Sequence, residues 1–357
     1  MAVNKVVMNT ASGEETLIDL TSDTITPETL VSGTTAHNKA GMIIVGTNPY
    51  EKTETDNTVA TQASLILQIA EALEGKAAGG SGGSTETEDS LIDGSITSYT
   101  NNRVLTIRSY AFTSNKNIQN VNFPAAQTIG AYAFSGCSNL TSASFPVASS
   151  MHDGVFTRCY ALASADFPNV TRIPTNAFYS CSKLTEVSIP AASSIGTMAF
   201  YGCSKLTSAI FPAVTSIGNS AFYNCSSLTT ASFPVAKSIA SSVFAYCRSL
   251  ATISFPAVTY IGAYAFMYCD SLTNVSFPAA STIVGYAFRY CYNLSNLYLM
   301  GSTVCTLSNS TAFSSTPYAG YSGSFSGTPR IYVPASLLTS YQTATNWTYF
   351  SSYFSGI

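Results

Sequence analysis

Charge is what this sequence has least of. Only 9% of its 357 residues are Asp, Glu, Lys or Arg, against about a quarter in an ordinary globular chain. The wetted surface must therefore be built from Ser, Thr, Asn and Tyr. Fifteen basic against eighteen acidic side chains leave a net charge of −3. That argues against nucleic acid or an anionic membrane as a partner, since both are held by a basic face that displaces counterions. No apolar run reaches the roughly 18 residues of a membrane-crossing helix, so no membrane insertion is expected. The opening Met1-Ala2-Val3-Asn4-Lys5 has no apolar stretch of the kind a secretory signal carries. Motifs of chemistry are also missing. There is no Cys-x-x-Cys pair for zinc and no glycine loop placed after a strand to cradle phosphate. The carboxylates are too scattered to nominate an acid–base pair. His152, Asp153 and Cys159 could be imagined as a cysteine-protease set, but His152 and Cys159 fall in structural columns of the repeat described next. The chain is read as non-enzymatic, with no catalytic residue, metal or cofactor.

Periodicity is abundant. Phe112, Phe134, Phe156, Phe178, Phe200, Phe222, Phe244, Phe266 and Phe288 follow one another at a constant step of 22 residues. Cysteines from Cys137 to Cys291, leucines from Leu140 to Leu294 and an Ile/Met column from Ile129 to Ile283 keep the same step. The unit reads A-F-x-x-C-x-x-L-x-x-[AVI]-x-F-P-[AV]-[AV]-x-x-I-G-x-x. A fixed period of this length means one coil per repeat, each burying its apolar columns against the same columns above and below. The alternation in L-x-x-[AVI]-x-F predicts a short strand, ended by the proline. Stacked strands then form a parallel ladder rising roughly 4.8 Å per coil. The Ile-Gly pair is expected to mark a turn where glycine supplies an unusual backbone angle. The fold class is thus a solenoid of about nine coils with short parallel strands, preceded by a small mixed module and a helix. The cysteine column is expected as buried, reduced thiols, because side chains in one column point the same way and cannot face each other as a disulfide requires. Cys305 lies outside that column, leaving its exposure open.

These residues resemble the BspA-type leucine-rich repeats over roughly Leu91 to Leu299. The chain departs from that pattern in using Phe-Pro-Ala where the family often has Ile-Pro, and in a repeat one residue shorter than the commonest length. The resemblance implies a non-enzymatic surface or attachment role without fixing a ligand. The end of the chain, Ile331 through Trp347, looks like the segment that often closes such arrays in gut bacteria and their prophages. It is expected as a last strand followed by a capping helix over Ala335 to Trp347.

The expected organisation has five parts. Residues 1–55 form a β-rich docking module, with strands at Val6–Met8, Leu17–Leu20 and Met42–Val45 and a helical turn at Thr26–Leu30. Thr26 to Gly41, closing with Val45-Gly46-Thr47, is similar to N-terminal modules of tail-associated proteins in phages of Gram-positive bacteria. An extracellular or virion-associated location follows from that likeness. Residues 56–76 form an amphipathic helix, whose Val59, Ala63, Ile66, Ala70 and Leu73 step by four and three. The helix either packs on its own domain or joins three chains into a homotrimer. Residues 77–90 are a Gly/Ser linker, 91–300 the solenoid and 301–357 the cap.

With the columns given to packing, function has to lie between them. Tyr179, Tyr201 and Tyr223 share one column, and Tyr246, Tyr268 and Tyr290 share the next. Stacked tyrosines either present flat faces to sugars or a protein partner, or stack on one another and stiffen the flank. The strand face between Leu and Phe, carrying Ser142, Ser144, Ser164, Asp166, Glu186, Ser188, Ser208 and Ile210, is the second candidate surface. The partner is expected to be a protein or carbohydrate on a cell surface. A bacterial adhesin and a ligand-free spacer are the alternatives to a phage attachment protein.

Overall fold

The computed structural model describes residues 97–320 and 328–357, together with the backbone of four short strands nearer the N-terminus. The chain divides into two compact units, Met1–Ser95 and Ile96–Ile357. In the first, Lys5–Thr10 pairs antiparallel with Gly13–Asp19, slipping register between Val6 and Val7, and Thr35–His37 pairs antiparallel with Ile43–Val45. The helical turn expected at Thr26–Leu30, the helix at 56–76 and the linker at 77–90 lie outside the described residues.

The second unit is a solenoid whose coils have three hydrogen-bonded sides. On the strand side, three-residue segments such as Asn120–Asn122 and Ser142–Ser144 pair in parallel, 22 residues out of step. Inward positions such as Ala165, Ala209 and Ala231 are buried, and their neighbours in the strand point to water. On the isoleucine side, two-residue strands from Thr106–Ile107 to Thr306–Leu307 bury one side chain each. The third, or turn, side carries no strand. There the N–H groups of alternate residues donate to the following coil, as Tyr110 to Ala131 O, Phe112 to Ala133 O and Ser114 to Ser135 O. The residues between them close short turns within the coil, as Ala111 to Arg108 O and Thr113 to Tyr110 O. Every backbone donor of the segment is thereby met.

Eleven successive strands, from Ser98–Thr100 to Arg330–Val333, give eleven turns rather than about nine. The shortfall in the sequence reading has a physical cause. Terminal coils keep the strand positions but lose the Phe-x-x-Cys signature. The last coil is longer: Ala312-Phe313 supplies its phenylalanine, and Phe313 stacks on Phe288 at 5.5 Å and 2°. The expected cap is also broken up. A 3-10 turn at Ala335–Leu337, a helix of only six residues at Leu338–Thr343 and a second 3-10 segment at Trp347–Tyr353 lead into a further strand, Phe354–Gly356, paired with Ile331–Val333. Cys305 is fully buried beneath this cap. Its N–H donates to the Tyr341 hydroxyl, and its carbonyl accepts from Trp347 Nε1 at 2.6 Å.

Two columns of phenylalanine fill the interior. In one, successive rings lie 5.0–5.6 Å apart and within 11° of parallel, as Phe112–Phe134 and Phe200–Phe222. The second, from Phe123 to Phe277, tilts against it, and burying each such ring contributes about 1.5–3 kcal/mol. All nine cysteines are free and buried. Each thiol of the column donates to the carbonyl of a phenylalanine in the coil before, as Cys137 to Phe112 O at 2.9 Å and Cys225 to Phe200 O at 3.2 Å. Burial pushes these thiols up, Cys137 to about 12.

A turn does follow the Ile-Gly pair, but the unusual backbone angle expected of its glycine is not there. Gly130, Gly196, Gly218 and Gly262 have ordinary backbone angles; what they lack is room. A Cβ on Gly130 would meet Ser109 N at 2.4 Å, and one on Gly218 would meet Thr197 N at 2.5 Å. The left-handed backbone lies on the turn side instead, at two positions per coil. One column runs Tyr110, Tyr132, Gly154, Asn176, Met198, Ser220, Ser242, Tyr264, Tyr286. The other runs Ser114, Gly136, Arg158, Ser180, Gly202, Asn224, Tyr246, Tyr268, Tyr290. Every member has φ between 53° and 75°.

Candidate functional site

The tyrosines are set by this turn side. Tyr179, Tyr201 and Tyr223 directly follow the core phenylalanine, whereas Tyr246, Tyr268 and Tyr290 sit one residue later, in the left-handed column. The structure joins the two groups into one stack, with a single ring per coil over six coils. Successive centroids are 4.9, 4.7, 5.1, 4.8 and 4.3 Å apart. The planes stay within 28° of each other except at the column change, where Tyr223 and Tyr246 meet at 48°. All six are half-buried. Partial burial, then the neighbouring phenols, raises the Tyr201 and Tyr223 hydroxyls above their ordinary value. Each of the inner four rings thus has a neighbour on both sides, stacked face to face except where Tyr223 and Tyr246 meet at an angle.

Two arginines brace the far end of the stack. The Arg248 guanidinium lies 5.9 Å from the Tyr246 ring and 5.1 Å from that of Tyr268, and bonds Asp270 at 2.7 Å. Arg289 sits 5.2 Å from the Tyr286 ring and 4.5 Å from Tyr290, and donates to the Tyr290 hydroxyl at 2.7 Å. Sequence reasoning missed both. The signal was present in the period, since Arg248 precedes Asp270 by one repeat and so must lie beside it.

Asp166 and Glu186 stand apart from the tyrosines, on the strand side. They are exposed and diagonal to one another, because Ser164 pairs with Glu186 and Asp166 with Ser188. Serine hydroxyls flank them in the ladder, and Ile210, in the strand of the next coil, is strongly exposed (62%). Threonines at the strand entry, such as Thr185 and Thr229, tie coil to coil through backbone carbonyls. Tyr298 and Tyr332 stack at 4.6 Å on this side, a pair the sequence reading passed over.

The imagined protease set does not assemble. His152 is exposed, whereas Cys159 is buried with its thiol donated to Phe134 O and raised well above its ordinary value by burial. Among the described residues no three His, Cys, Asp or Glu side chains are grouped to hold a metal ion. No helix there is long and apolar enough to cross a membrane.

The profile of the BspA type leucine rich repeat region matches residues 105–229 and 193–319, together more than half of the chain. The chain belongs to the BspA-type leucine-rich-repeat family. A solved leucine rich cell surface protein of Faecalibacterium prausnitzii A2-165 is 21% identical, covering 73% of this chain and 83% of its own, with a TM-score of 0.39. A leucine-rich repeat protein of Bacteroides ovatus ATCC 8483 is 21% identical, covering 68% and 86%, with a TM-score of 0.42. One from T. pallidum is 24% identical, covering 49% and 78%, with a TM-score of 0.38. No curated protein matches the chain.

The two units of this BspA-type chain differ sharply in charge. Met1–Ser95 holds four lysines and fourteen acids, a net of −10, whereas Ile96–Ile357 holds eleven Lys and Arg against four acids, a net of +7. The chain-wide −3 conceals a basic solenoid, whose charge does not by itself exclude a polyanionic partner.

Proposed function

We propose that this BspA-type protein is a non-enzymatic attachment protein, with the solenoid surface turned to a protein or glycan partner on a cell surface. One observation carries the reading. Phenylalanine, leucine and cysteine columns are all consumed by packing, with thiols buried and donated to carbonyls. What each coil offers the solvent is a repeating polar relief of hydroxyls, amides and phenol edges, suited to broad contact rather than a pocket. In this reading the N-terminal unit docks the chain to a larger particle. We read that particle as a phage tail, on the likeness of residues 26–47 to tail-associated modules, with a virion or extracellular location.

A screen of the full chain against host cells and a glycan panel tests the reading. Binding that weakens several-fold in Tyr201→Ala or Tyr268→Ala, with thermal unfolding little changed, supports it. A second reading, a spacer without ligand, is favoured by the stacking of the tyrosines on one another. Absence of binding to every cell and glycan tried would establish that one instead.

A further inference from the structure

The basic charge of the solenoid is not spread evenly. In each coil, five residues lie between the core phenylalanine and the core leucine position, 113–117 in the first copy and 289–293 in the ninth. These segments hold Lys116, Arg158, Lys183, Lys205, Arg248 and Arg289, and one acid, Asp270. Asp270 is engaged by Arg248. Among the described residues, no carboxylate meets Arg158, Lys183 or Lys205, and all three are exposed. The same segments carry the tyrosine stack. One edge of the solenoid is thus a cationic strip interleaved with phenol hydroxyls, running parallel to the axis. Two of its arginines are held in place against aromatic rings.

We propose that this edge binds a linear anionic polysaccharide, a carboxylate-bearing glycan laid along the axis. The proposal rests on the attachment reading above. Cations recurring every one or two coils, about 5–10 Å apart, match a chain charged once per sugar or less. They are too sparse for a nucleic acid duplex, which presents a phosphate about every 1.7 Å. Single-stranded nucleic acid would need open aromatic faces for its bases, and the inner rings of this stack have a neighbour on both sides. Phenol edges and hydroxyls, by contrast, are donors and acceptors for sugar hydroxyls.

The test titrates the full chain with polygalacturonate, with neutral dextran and with a single-stranded oligonucleotide, each at low and high salt. The expected result is binding to polygalacturonate that weakens as salt rises, with no measurable binding to dextran. The triple variant Arg158→Gln/Lys183→Gln/Lys205→Gln should bind it about tenfold more weakly, since three exposed ion pairs are lost, while melting at the temperature of the parent. Equal binding by the triple variant overturns the proposal. So does equal binding of dextran, tighter binding of the oligonucleotide, or no binding of polygalacturonate. If the chain still attaches to cells in those cases, the attachment reading survives and only the anionic ligand falls.

Discussion

Two aromatic stacks run side by side through this molecule, one dry and one wet. Phe200 and Phe222 lie 5.1 Å apart at 9° inside the solenoid, while Tyr201 and Tyr223, the next residues in sequence, lie 4.7 Å apart at 3° on its edge. The geometry is the same because the coil rise sets it. The difference lies in the surroundings, and it separates what stacking contributes from what burial contributes. Regular stacking is therefore no sign by itself of a core or of a binding site.

The largest way to break the dry side is alkali. Cys137 and Cys305 keep their protons up to about 12, against an ordinary 9.0, because burial disfavours the thiolate. In that window the unfolded chain has released protons that the folded chain still holds, so stability falls as pH rises through it. Nine buried thiols act together. Unfolding followed by circular dichroism should be flat below about pH 8 and collapse steeply above the ordinary thiol value. A flat alkaline limb would show the thiols to be exposed. In the same sense, a thiol reagent should label none of the nine in the native protein and all of them in denaturant.

Next in size is Phe200→Ala, expected to cost about 3–5 kcal/mol in urea unfolding through the cavity it leaves. Its wet counterpart Tyr201→Ala should cost only about 0.5–1.5 kcal/mol, the value of stacking without full burial. Equal losses would erase the distinction between the stacks. Between them falls Gly130→Ala, whose methyl has no space against Ser109 and should cost about 1–3 kcal/mol. Smallest is Met198→Gly, which frees a left-handed backbone at φ 53°. It should leave stability unchanged or raise it by about 0.5 kcal/mol, since relief of strain is offset by the freedom glycine adds to the unfolded chain.

The comparison also explains what could be read from the sequence. The core columns were legible because packing identical coils demands the same residue at each step, and the burial of Cys137 through Cys291 followed from position alone. The ends were less legible because Ser98–Thr100 and Phe313 keep the geometry of a coil without its Phe-x-x-Cys spelling. Glycine misled for a different reason. In the Ile-Gly column it answers to crowding, whereas Gly136, Gly154 and Gly202, which need a positive φ, share their columns with Asn, Ser and Tyr and so formed no motif. The tyrosine stack escaped as a unit because it changes column between Tyr223 and Tyr246. Each half read as a fragment, and only coordinates show that the rings meet at 5.1 Å. The strip of cations was hidden by averaging an acidic front unit with a basic solenoid.

The turn side has a further property. The backbone bonds made by its alternate residues run one way, each N–H reaching forward to a carbonyl of the next coil, from Tyr110 and Ala131 through to Tyr290 and Ser314. In a helix the aligned peptide groups sum to a macrodipole with its positive pole at the N-terminus. Here the N–H groups point toward the C-terminal coils, so the positive pole lies at the opposite end of the chain, beside Arg289. The edge is a polar rod with a built-in field. A negatively charged polymer laid along it would experience a gradient as well as a row of cations, and would be drawn toward the capped end.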